Sequence, residues 1–179
     1  MTAEHREGIP GYEWQDIPEF GIAVPKPFGW HYSLGTTQGM PSRGITEEPI
    51  AAGQVRGYYT GINIIVIRGV KNKYSAEQYA RGFLLTRQDP LRRLSDITVE
   101  DQDPIVRSKR LFTLPHGKFV MPSGEEILLE DLTLYQMAAS NKNTDTKYLA
   151  TFTASFRKWL LYRQIASTMI DNMTFDKTV

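Results

Sequence analysis

Between residues 148 and 173 the apolar period of the chain changes once, and the change falls at Ser155. Before it, Tyr148, Ala150, Phe152 and Ala154 alternate with Leu149, Thr151 and Thr153. Successive strand side chains point to opposite faces, so this stretch reads as a strand with one large apolar face. After it, Trp159, Tyr162, Ala166, Met169, Ile170 and Met173 fall along one side of a helix, with Phe156 and Ile165 beside them. Ser155 is placed to cap that helix, which the pattern predicts over 156–172, with Arg157, Lys158 and Arg163 turned to water. A strand that runs straight into an amphipathic helix needs a sheet for the strand to join and for the helix to lie across. Each large side chain buried in that way contributes about 1.5–3 kcal/mol.

The rest of the chain supplies such a sheet. Tyr12, Trp14 and Ile17 mark a first extended run, and Phe20, Ile22 and Val24 alternate in a second. Residues 62–68 (INIIVIR) are nearly continuous in apolarity, as in a central strand covered on both faces. Residues 105–114, 118–121 and 126–138 read as extended, with a turn at 122–125 and a polar hairpin loop at 141–145. A first helix is predicted from Ser75, its N-cap, to about Arg87, with Ala76, Tyr79, Ala80, Phe83 and Leu84 as its stripe. Residues 29–61 hold seven of the fourteen glycines and show no period, so they read as one long irregular segment. Residues 1–11 read as a flexible arm and residues 12–179 as one domain. The fold class is α+β: a single domain with an antiparallel sheet flanked by helices, the long C-terminal helix packed on it.

Chemistry is sparse. The chain has no cysteine, which removes disulfides, thiol nucleophiles and cysteine metal sites. His5, His31 and His116 have no metal-ligand spacing, and no G-x-S-x-G elbow or P-loop is present. Gly53, Gly57 and Gly61 fit a bending loop better than a phosphate cradle. His31, His116, Asp101 and Asp103 are the acid–base candidates, and they would need a pocket between sheet and helices, as in an NTF2-like cone. No cofactor is called for.

Two groups could bind a partner. Phe28, Trp30 and Tyr32 stand on one side of the irregular segment and Tyr58 and Tyr59 on the other. Their ordinary role is to cap the core; their functional reading is a contact surface, because Trp and Tyr anchor interfaces. Arg87, Arg92, Arg93, Arg107, Lys109 and Arg110 could form a basic rim, ordinarily just a solvated edge. The formal net charge of +1 supplies no overall field toward nucleic acid or an anionic membrane. No stretch approaches the roughly 18 apolar residues of a membrane span, and the chain carries no targeting signal, which suits the cytoplasm or another soluble compartment.

The order of elements resembles the Mog1/PsbP-like superfamily. An opening strand leads to prolines and a tryptophan (FGIAVPKPFGW, 20–30), and a hydrophobic strand precedes a capped helix (INIIVIRGVKNKYSAEQYARGFL, 62–84). Late strands and a closing helix complete it (YLATFTASFRKWLLYRQIASTMIDNMTF, 148–175), with 36–57 standing out as insertion-like. Members of that superfamily are binding proteins: small-GTPase partners, photosystem accessory subunits and chaperones for secreted effectors. The resemblance therefore implies an α/β/α sandwich and a binding role, and it carries no catalytic residues. The function expected is a non-enzymatic protein-binding or accessory protein with a protein partner. The alternatives are a small-molecule binder or enzyme, and a subunit of a large assembly.

Overall fold

The computed structural model describes residues 6–50, 59–68, 93–94, 98–114, 118–120, 123–124, 126–128, 131–144 and 146–178. In chain order the strands are β1 (Tyr12–Ile17), β2 (Ile22–Pro27), β3 (His31–Thr37), β4 (Met40–Thr46), β5 (Gly61–Ile67), β6 (Arg93–Leu94) and β7 (Thr98–Gln102). They continue with β8 (Ile105–Leu114), β9 (Lys118–Val120), β10 (Glu126–Leu128), β11 (Leu132–Asn141) and β12 (Lys147–Ser155). A 3₁₀ turn at Phe156–Lys158 leads into the helix α1 (Trp159–Asp171), and a short β13 (Thr174–Phe175) ends the fold. Eight strands make one antiparallel sheet in the order β3-β4-β5-β12-β11-β8-β6, with β7 also on β8. A second sheet has the order β1-β2-β13, and β9 pairs with β10.

The period-two pattern sets which side chains meet. On one face of the large sheet, register aligns Ile62, Phe152 and Tyr135, then Ile64, Ala150 and Met137, then Val66, Tyr148 and Ala139. Ala166, Met169, Ile170 and Met173 of the closing helix and Ile17, Ile22 and Val24 of the small sheet belong to the same buried cluster. α1 and the small sheet therefore share the covering of this face. β5 lies between β4 and β12 with Ile62, Ile64 and Ile65 buried, as a central strand should. The sheet is antiparallel with one C-terminal helix among the described residues, and the helix expected at 75–87 lies outside them.

Two expectations are corrected. The stretch 29–61 is not irregular throughout, because β3 and β4 form a seven-residue-per-strand hairpin within it. Gln38 and Gly39 make its two-residue turn, both at positive φ (52° and 79°), the geometry that matches the twist of the flanking strands. At Gly61 φ is 151°, and a Cβ there would fall 2.2 Å from the Ile45 carbonyl oxygen, so the β4–β5 approach requires glycine. Ser155 does not cap the helix: it makes no side-chain capping bond and ends β12 as a buried residue, while the 3₁₀ turn starts the helix. Residues 6–11 of the expected arm contact the domain. Arg6 pairs with Asp16, the Trp14 indole donates to the Glu7 carbonyl, and the Phe28 amide donates to the Gly11 carbonyl.

Candidate functional site

The C-terminal end of α1 is held by a polar network. Arg107 and Lys109 of β8 and Tyr135 of β11 point toward the helix from the sheet. Asp171 accepts from Lys109 Nζ at 2.8 Å, from the Tyr135 hydroxyl at 3.1 Å and from Ser167 Oγ, one helical turn back. Glu100 of β7 pairs with both Arg107 and Lys109. A carboxylate in the last turn opposes the helix dipole. Here Arg107 offsets that by donating Nη1 to the Asp171 carbonyl, and Lys109 neutralises the side chain. Burial by itself would raise the Asp171 carboxyl, but the bonds from Lys109 and Ser167 hold it below the usual carboxylate range. Burial and the nearby Asp171 push the Tyr135 phenol up.

These contacts dissolve the expected basic rim. Strand alternation sends Arg107 and Lys109 under α1 and Arg110 to the opposite face of the sheet. Arg110 is 1% exposed, donates Nε and Nη2 to Gln136 Oε1 at 3.1 and 2.8 Å, and stacks on Phe112 with 4.5 Å to the ring centroid. Arg107 is likewise buried. Arg93 lies in β6 opposite Thr113, and Arg87 and Arg92 fall outside the described residues. Arg107, Lys109 and Arg110 thus do not share one surface.

The aromatic group is divided. Trp30 is half-buried, its ring 6.2 Å from that of Phe152, and Trp159 meets the same ring edge-on at 6.4 Å. Tyr32 is half-buried against the same core, and burial, with Glu19 adding to it, pushes its phenol up. Tyr59 is half-buried, and Tyr58 falls outside the described residues. The exposed apolar groups of this region are Phe28 (65%) before β3 and Leu34 (71%) on it, with Ile50 beyond β4.

A second exposed apolar group was not singled out from sequence. Leu160 and Leu161 of α1 are 75% and 74% exposed, and Phe156 of the preceding turn is 55% exposed. Successive helical residues are separated by about 100°. Leu160 and Leu161 therefore straddle the outer side of the helix, opposite Ala166, Met169 and Ile170. The signal was present, since neither leucine falls on the stripe that begins at Trp159.

No family model matches the sequence, and no curated protein matches it. Solved structures do. PsbP (CyanoP) of Synechocystis sp. PCC 6803 superposes with a TM-score of 0.54 at 13% identity, covering 94% of each chain. The Ran-binding protein Mog1p of Saccharomyces cerevisiae gives 0.56 at 9% identity, covering 93% of this chain and 96% of that one. LpqN of Mycobacterium tuberculosis, involved in cell envelope biogenesis, gives 0.51 at 15% identity over 87% of this chain and 83% of that one. The fold is Mog1/PsbP-like. At these identities the likeness concerns the fold alone.

Within this Mog1/PsbP-like sheet the acid–base candidates do not converge. His31 is exposed on β3, at one side of the sheet, and Asp101 is on β7 at the other. Six strand spacings of about 4.8 Å separate them by on the order of 29 Å. Asp101 and Asp103 both receive the Lys142 ammonium, at 2.9 and 3.2 Å. His116 lies outside the described residues. Among the described residues, no group of three or more His, Cys, Asp or Glu is placed to hold a metal, and no helix is long and apolar enough to cross a membrane.

Proposed function

We propose that this chain is a non-enzymatic, protein-binding accessory protein, and that its contact surface is the edge built by residues 28–50. The observation that carries the reading is the exposure of Phe28 and Leu34 beside the half-buried Trp30 and Tyr32, at the outer side of the sheet. Large apolar side chains clustered at one edge, next to aromatic rings already fixed by the core, make a pre-ordered anchor at small entropic cost. Tyr59 belongs to the same proposal as its far border, and Tyr58 precedes it in sequence, outside the described residues. The Ran-binding protein that shares the fold supports a binding role at the level of the scaffold.

The test is affinity capture from the native source with the intact chain and with F28S/L34S. Both positions are exposed, so the double variant should fold and keep its melting temperature while losing captured partners at least tenfold. Recovery of the same proteins in the same amounts would sink the reading.

A further inference from the structure

We infer that the outer face of α1 is a docking surface for an anionic lipid surface. It adjoins the 28–50 edge through the Tyr162–Glu47 hydrogen bond but uses other residues, and it goes beyond the protein-binding role. Three exposed apolar side chains, Phe156, Leu160 and Leu161, occur within six residues of one another. Interleaved with them are Arg157, Lys158 and Arg163, all exposed, and none of these cations makes an ion pair or hydrogen bond among the described residues. The net charge of +1 for the whole chain hides this run of three positive charges in eight residues. One carboxylate is placed against the helix, Glu47, which accepts from the Tyr162 hydroxyl.

The charges select the occupant. A second copy of this chain would bring three cations against three, which disfavours self-pairing through this face. A protein partner would have to offer an acidic groove shaped to a convex helix. An anionic bilayer needs no such shape: it presents negative headgroups above an apolar interior. Apolar side chains flanked by basic ones on a helix lying in the plane are what such an interface accepts. The helix is already folded and anchored through its inner stripe and its C-terminal network, so docking costs no helix formation.

The experiment is co-sedimentation of the full chain with vesicles of phosphatidylcholine alone and of two parts phosphatidylcholine to one part phosphatidylglycerol. Binding to the mixed vesicles should be stronger by about a hundredfold for three surface cations, and should weaken with added salt. L160S/L161S should lose at least tenfold on the mixed vesicles, and R157Q/K158Q/R163Q should erase the preference for them. F28S/L34S should bind vesicles as the parent does, so failure here and failure of the protein-binding reading remain distinguishable. The inference is overturned if neither vesicle sediments the chain, if the preference survives in R157Q/K158Q/R163Q, or if L160S/L161S binds unchanged. Capture of polyglutamate peptide without vesicle binding would likewise overturn it and assign the face to an acidic protein.

Discussion

The two ends of α1 are treated in opposite ways. At the C-terminal end, Asp171, Lys109, Glu100, Arg107, Tyr135 and Ser167 satisfy one another, and Met169 and Ile170 are wholly buried beside them. At the N-terminal end, Leu160 and Leu161 stand in water and Arg157, Lys158 and Arg163 have no partner among the described residues. One helix thus carries both a fastening and an open surface. The difference teaches that its stability resides in the last turns and in the inner stripe. The outer residues of the first turns are free to serve another surface.

The largest test of that division is Ile170→Ala. Ile170 is 0% exposed within the main cluster, so its truncation should cost about 2–5 kcal/mol. Urea unfolding reads the loss as a lower midpoint at unchanged slope. A cost below about 1 kcal/mol would mean that the inner stripe does not hold the helix.

A smaller effect is expected at Asp171→Asn. The amide keeps the shape but loses the charge that pairs with Lys109. Asp171 is 34% exposed, and the more buried Lys109 keeps Glu100 as a partner, so the cost should be only about 1 kcal/mol. The folded carboxyl is held below its unfolded value, so its contribution is fully present above about pH 4 and is lost as pH falls through the folded pKa. Melting temperatures followed from pH 6 downward should therefore fall less steeply in Asp171→Asn than in the parent. Parallel acid limbs would show that the network does not fasten the helix.

Much of the fold was legible because it rests on local periods. The switch from period two to period 3.6 located β12 and α1, and the apolar run at 62–68 located β5 at the sheet centre. The hairpin β3–β4 was not legible. HYSLGTT and MPSRGIT contain glycine, proline and few apolar residues, and they are strands because β5 and a Gln38–Gly39 turn give them partners and register. The basic residues show a different failure. Arg107, Lys109 and Arg110 are neighbours in sequence, but alternation places them on opposite faces. The partners that bury two of them, Glu100 and Asp171, come from β7 and from a helix more than sixty residues on. Of the candidate surfaces, the aromatic edge was named with Trp30 and Tyr32, which the core half covers. Leu160 and Leu161 lie off the apolar stripe of α1, and the period that marks the buried side does not by itself mark an apolar outer side.

The smallest expected effect is the sharpest probe of the comparison. Leu160→Ser with Leu161→Ser removes two large apolar side chains from the same helix that carries Ile170. If burial alone sets the cost, these exposed positions should change stability by no more than about 0.5 kcal/mol. Serine lowers helix propensity a little, and removing apolar groups from water offsets part of that. The contrast with Ile170→Ala should therefore be at least about 1.5 kcal/mol by the same urea experiment. A cost at Leu160 and Leu161 equal to that at Ile170 would mean that something covers them in solution. The outer face would then be part of the core rather than a surface left for a partner.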